Sequence, residues 1–303
     1  MVMTTQQEVD DGAEQILNCF NSNEPFFIGR NGSSEMMVFD YWLKYRTVGV
    51  PWRSDLIGRL RNNFGVWPIT SSSLDAWCKD YHDALSRVNG ISAGWFKPLA
   101  DAEHQFIKRV VPAAFTMPLR CLEPYYVRPD LRWTTALADK DVAVITSFTK
   151  TVQGQLDRID PLKIWSSLEA PESILPPTVR WHLVKSYFPP NVSGDHETGW
   201  ASIGVESWEQ AVDHLVAEVL KTPATHAIIG CGAIGMNVAG RLRAKGLSVL
   251  LLGGAVQVLF GVRGRRWENH GVISKFWNDS WVWPEESECP PNAQTVEGAC
   301  YWR

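Results

Sequence analysis

Residues 226–254 read HAIIGCGAIGMNVAGRLRAKGLSVLLLGG: an apolar run, a glycine-rich turn, an amphipathic segment and a second apolar run. The two runs are short and rich in Ile, Leu and Val, which suits buried strands. Between them Gly230, Gly232 and Gly235 stand at G-x-G-x-x-G spacing, and NVAGRLRA continues at a helical period. Such a strand–turn–helix–strand unit belongs to a parallel sheet covered by helices on both faces. It also aims a helix N-terminus, with its free N–H groups, at the place where a phosphate binds. Dinucleotide and S-adenosylmethionine enzymes usually add an acid after the second strand to hold the ribose, but this chain has LLLGG there. The 49 residues Val219–Trp267 contain no Asp or Glu and seven Lys or Arg. The unit therefore suits a diphosphate better than NAD or S-adenosylmethionine.

Upstream, Ser207 and Gln210 form a capping box for a helix whose apolar stripe is Trp208, Ala211, Val212, Leu215, Val216 and Val219. RWHLVKSYF (180–188) and DVAVITSF (141–148) read as strands, and the latter leads into a helical pattern through VQGQLDRI. EPFFIG (24–29) reads as a short buried strand, followed by a loop and a helix capped by Ser33 or Ser34 with Glu35 in its first turn. Residues 50–125 alternate helical patterns with Gly/Pro breaks and are expected to form a mostly helical insertion. Right-handed crossovers would gather the loops after Gly29, Phe148, Gly230 and Leu252 on one carboxyl edge. One α/β domain spanning 1–303 is expected, with a Trp- and Pro-rich tail, 284–303, packed on it.

At 45% hydrophobic and 20% charged residues, the composition is that of a globular protein, and a net charge of −4 argues against general nucleic-acid affinity. The longest apolar run, Leu247–Val262, is too short and too polar at Ser248 and Gln257 to span a membrane. No basic-then-apolar leader opens the chain, and the six cysteines form no C-x-x-C pair. The expectation is a cytoplasmic protein with reduced thiols and no membrane span. Most of the fifteen tryptophans are expected in the core.

A second constellation is GRNGSSE, Gly29–Glu35, at another strand-to-helix junction. Arg30 can neutralise a phosphate, Gly32 permits close approach, and Glu35 is a candidate base, ribose contact or metal ligand. The loop SGDHETGW offers Asp195, His196 and Glu197 as further bases, and Arg263, Arg265 and Arg266 form a basic cluster. Asp139-Lys140-Asp141 is a D-x-D sequence, but it precedes its strand and so belongs to the edge opposite the binding loops.

Several segments taken in order, FIGRNGSSE, LEPYYVRP, DVAVITSFTKTVQGQ, HAIIGCGAIG, LLGGAVQVLFGVRGRRW and VEGACYW, resemble the glycosyltransferases of the GT-D fold. These include sugar transferases of bacterial polysaccharide clusters and of large DNA viruses of algae. The resemblance implies a Rossmann-like, mostly parallel sheet and transfer of a hexose or pentose from a UDP-sugar donor to a glycan acceptor hydroxyl. It implies a donor site at Gly29, Arg30, Gly32, Ser33, Ser147, Phe148, Gly230, Cys231, Gly232, Gly253, Gly254 and Gln257. Arg266 and Trp267 would meet the acceptor, with Glu35, Asp195 or Glu197 as base.

In relatives the first loop reads R-x-G-D-G-E and its carboxylates hold a divalent cation. Here the Asp position is Ser33, which leaves dependence on Mn or Mg and metal independence equally open. Glutamates that some relatives carry after the second glycine strand are absent, Gln257 being the only polar side chain in VQVLFG. A non-catalytic nucleotide- or glycan-binding protein is the alternative, and an NAD or S-adenosylmethionine enzyme a more distant one. The oligomeric state, the sugar and the acceptor are not legible from these residues.

Overall fold

The computed structural model describes residues 4–59, 65–158 and 161–303. Seven strands form one parallel sheet in the order β3-β2-β1-β7-β6-β4-β5. They are β1 (Phe27–Arg30), β2 (Gly90–Ser92), β3 (Phe115–Met117), β4 (Asp141–Thr146), β5 (Arg180–Lys185), β6 (His226–Gly230) and β7 (Ser248–Leu251). The fold is Rossmann-like, and the reason lies in strands that are apolar on both sides. In β4, Ala143 and Ile145 face one hydrophobic core while Val142 and Val144 face the other. Ala227 and Ile229 against Ile228, and Val249 and Leu251 against Leu250, repeat the division in β6 and β7. A sheet of this kind needs helices on both faces.

The helices Ser33–Tyr45, Ser71–Leu85, Ala100–Val110, Trp208–Leu220 and Gly235–Ala244 cover the first face. Gln6–Asn21, Thr149–Arg158, Ala255–Leu259 and the C-terminal segment cover the second. The stripe Trp208, Ala211, Val212, Leu215, Val216 and Val219 is buried throughout. Its capping box is half formed: Ser207 Oγ accepts from the Gln210 N–H, but Gln210 Oε1 accepts from Glu206 rather than Ser207. The helical pattern after β4 holds through Arg158, and Ile159 lies outside the described residues.

Two expectations need correction. Residues 50–125 are not an insertion: besides three helices they supply β2 and β3, which extend the sheet beyond β1. Each strand is only three residues long, too short for a period to show, and a Cβ on Gly90 would collide with the outer edge of the Phe115 ring. The helix at Ser33 has no side-chain cap from either serine, its N-cap being Gly32. Asp139 and Asp141 do lie at the amino edge, where Asp141 is hydrogen-bonded by Arg180 and His182 and so held at about 2. Among the described residues no helix is long and apolar enough to cross a membrane, and all six cysteines are free. Ten of the fifteen tryptophans are buried, which accounts for most of this compositional excess by core packing.

Candidate functional site

Neighbouring strands in the middle of the sheet send the chain to opposite faces. The loops after β1 and β6 lead to helices on the first face, those after β7 and β4 to helices on the second. Loops that diverge in this way open a crevice at the carboxyl edge. A cleft of about 570 Å³ occupies it, a volume suited to a nucleotide-sized ligand. The ends of β1, β4, β6 and β7 all line it through Arg30, Ser147, Gly230 and Gly253.

Each glycine of the G-x-G-x-x-G turn has its own requirement. A Cβ on Gly230 would lie 2.6 Å from the Gly253 carbonyl oxygen and 2.8 Å from Val256 Cγ2, so this position lets the two glycine loops touch. Gly232 has φ of +65°, the left-handed region. A Cβ on Gly235 would come 2.9 Å from Leu251 Cδ1, so the third glycine lets the helix lie close on β7.

Two guanidiniums flank the Gly253–Gly254 turn. Arg30 Nη1 would be 3.9 Å from a Cβ on Gly253, and Arg266 Nη1 would be 3.5 Å from one on Gly254. Arg30 stacks over Trp95 at 4.4 Å. Trp95 in turn donates to the Asn31 carbonyl at 3.1 Å, and Asn31 is held by the Tyr81 hydroxyl at 2.7 Å and by the buried Glu103. Glu103 also accepts from the Gly94 N–H at 2.8 Å, so a buried polar network fixes the Arg30 loop. Arg266 Nη1 donates to the Tyr301 hydroxyl at 2.7 Å and lies 3.7 Å from Glu297.

Arg30, Gly32, Ser33, Glu35, Ser147 and Phe148 all line the cleft, and so do Gly230, Cys231, Gly232, Gly253 and Gly254. Arg266 and Trp267 line it too, whereas Arg263 stacks on Trp277 outside it. Gln257 contributes differently from the expectation. Its Nε2 donates to the Arg263 and Tyr301 carbonyls at 2.7 and 2.8 Å, pinning the C-terminal segment to the site. Its buried Oε1 has no hydrogen-bond partner in the protein.

Three expected residues fall outside. Gly29 lies within β1, paired with Ile91, and is a glycine because a Cβ would press on Leu251 Cβ at 2.8 Å. Asp195 and Glu197 are exposed and do not line the cleft, although Val192 and Trp200 on either side of them do. Their loop is anchored by Thr198 and Gly199 pairing with Phe188, which leaves the acidic side chains facing solvent.

Sequence reasoning missed Glu123, Arg120, Glu297, His270 and Tyr301, all of which line the cleft. Glu123 is the most informative. Burial pushes its carboxyl up from an ordinary 4.5 to about 7, against the opposing pull of Arg30, Arg120 and Arg266. Glu35 is also raised by burial, with its own backbone N–H and Arg30 opposing and Glu297 adding to the effect. The one signal for Glu123 was a carboxylate set between Leu122 and Pro124 in LEPYY.

A divalent cation of the kind implied by R-x-G-D-G-E does not fit these residues. Glu35 is folded back over Gly32, where a Cβ would collide with its carboxylate, and Ser33 supplies only a hydroxyl. Among the described residues no three His, Cys, Asp or Glu side chains gather as a metal site. Comparison with models of known protein families, with curated proteins and with solved structures found no match.

Proposed function

We propose that the cleft is the active site of a glycosyltransferase that moves a hexose or pentose from a UDP-sugar to a hydroxyl of a glycan, in the cytoplasm of the producing or host cell. The observation that carries this reading is the convergence of two guanidiniums on the Gly253–Gly254 turn, with the Glu123 carboxyl in the same cavity. The helix N-termini at Ser33 and Gly235 add N–H groups and positive dipole ends at the same edge. The GT-D resemblance of the sequence supports the sugar nucleotide, and the lack of an acid after β7 disfavours NAD and S-adenosylmethionine.

In a single displacement the acceptor oxygen bonds to the anomeric carbon while the bond from that carbon to the β-phosphate oxygen breaks. The electron pair leaves with UDP, and the hydroxyl proton passes to a carboxylate. We assign that proton to Glu123, whose carboxyl lines the cleft and is raised by burial to about 7, where a carboxylate can both take and give a proton near neutral pH. Glu35 is engaged with its own helix N-terminus and stands second. Arg30 and Arg266 meet the charge that develops on the diphosphate.

The test is UDP release from a panel of UDP-sugars with and without mixed glycan acceptors. Acceptor-dependent UDP release is expected. Binding of UDP without release from any donor would favour the non-catalytic alternative, which the Ser33 replacement motivates.

A further inference from the structure

The cleft carries three guanidiniums, Arg30, Arg120 and Arg266, facing three carboxylates, Glu35, Glu123 and Glu297. The opposite charges are interleaved rather than segregated. Glu123 feels all three guanidiniums, Arg30 acts on Glu35 as well, and Arg266 is paired with Glu297 at 3.7 Å. Burial raises the Glu35 and Glu123 carboxyls against the pull of these guanidiniums.

Such an arrangement treats a divalent cation and a diphosphate very differently. Mg or Mn requires several oxygen ligands in near-octahedral order, and here each acid faces a guanidinium with which a cation would have to compete. A diphosphate meets planar forks of N–H donors, which match pairs of phosphate oxygens in geometry and charge. Arg120 is exposed, 5.0 Å from the Tyr126 ring, while Arg30 and Arg266 are held at the Gly253–Gly254 turn. The aspartate that would complete a cation site in related sequences is a serine, and Gln257 leaves a neutral acceptor instead of a carboxylate beyond β7.

We propose that this cleft takes up its donor's diphosphate without a divalent cation, Arg30, Arg120 and Arg266 supplying the positive charge that a metal would otherwise bring. The proposal rests on the reading of the cleft as a nucleotide-sugar site.

Calorimetric titration of UDP into the full chain, in buffer containing EDTA and again in buffer containing Mn, separates the two ideas. The expected affinities agree within about threefold, and both weaken as salt rises because the contacts are partly exposed. Arg120→Met and Arg266→Met each weaken UDP by about tenfold or more in EDTA, as loss of a charge-assisted contact requires, with Mn giving no rescue. Arg120 is exposed, so its replacement leaves the core intact, and a thermal melt of each variant confirms folding. Binding seen only with Mn, or about tenfold tighter with it, overturns the cation-free proposal and leaves the donor reading standing. Unchanged affinity in both variants overturns the arginine assignment. Failure of UDP to bind in either buffer overturns the proposal and the donor reading together.

Discussion

Replacing Glu123 by Gln should make the protein more stable and less active, with a stability gain that depends on pH. The folded chain keeps the Glu123 proton up to about pH 7, whereas the unfolded chain loses it near 4.5. Between those values ionisation opposes folding, so the carboxylate's cost is absent below 4.5 and complete above 7. The difference between the two pKa values corresponds to about 3 kcal/mol at alkaline pH. Gln has the same shape and no charge to lose, so it escapes that cost. Urea melts of the two proteins should show the Gln variant ahead by about 1 kcal/mol at pH 5 and by about 3 kcal/mol at pH 8. Turnover should fall by about 100- to 10,000-fold, and the acid limb of the pH–rate profile near 7 should vanish. A stability difference that is the same at both pH values would refute the burial argument. Survival of the acid limb in the variant would refute the assignment of the proton to Glu123.

Gly230→Ala places a methyl 2.6 Å from the Gly253 carbonyl oxygen, so backbone must move; a loss of about 1–3 kcal/mol is expected in denaturant melts, together with weaker UDP binding by calorimetry. Wild-type stability in that variant would show that the two loops do not touch. Asn31→Ala removes the partner of both Tyr81 and the buried Glu103, which should cost about 1–3 kcal/mol and raise the donor KM by freeing the Arg30 loop. An unchanged KM would remove Asn31 from the positioning of Arg30. Asp195→Asn and Glu197→Gln should leave kcat within about twofold, as exposed residues outside the cleft do. A large loss of kcat in either would place that loop in the active site.

The β6–turn–helix–β7 unit is legible in the sequence because strand, glycine turn, helix and second strand follow without interruption, each with its own period. The short strands β2 and β3 are not, since three residues carry no alternation and their place is set by pairing, β2 on β1 and β3 on β2. Gly29 shows a related limit: a glycine before Arg30 reads as the start of a turn, but the strand runs one residue further because Arg30 pairs with Ser92, and the glycine answers instead to Leu251. Part of the cleft lies at strand ends and the turns that directly follow them, so topology alone gathers Arg30, Ser147, Gly230 and Gly253. Glu123 and Arg120 come from short turns between β3 and β4, where no period shows which way a side chain points. The same blindness made Asp195 and Glu197 look equivalent to Glu35 as bases, although their side chains face solvent.

The central claim is that the two glycine loops and their guanidiniums form a diphosphate site for a sugar nucleotide. Thermal melts with UDP, UDP-xylose, UDP-glucose, UDP-galactose, NAD and S-adenosylmethionine test it most directly. At about a hundredfold excess over Kd a bound ligand stabilises the fold by about 2.7 kcal/mol, a shift of several degrees. The account predicts that shift for UDP and at least one UDP-sugar, and none for NAD or S-adenosylmethionine. Stabilisation by NAD or S-adenosylmethionine, with none by UDP or any UDP-sugar, would contradict it.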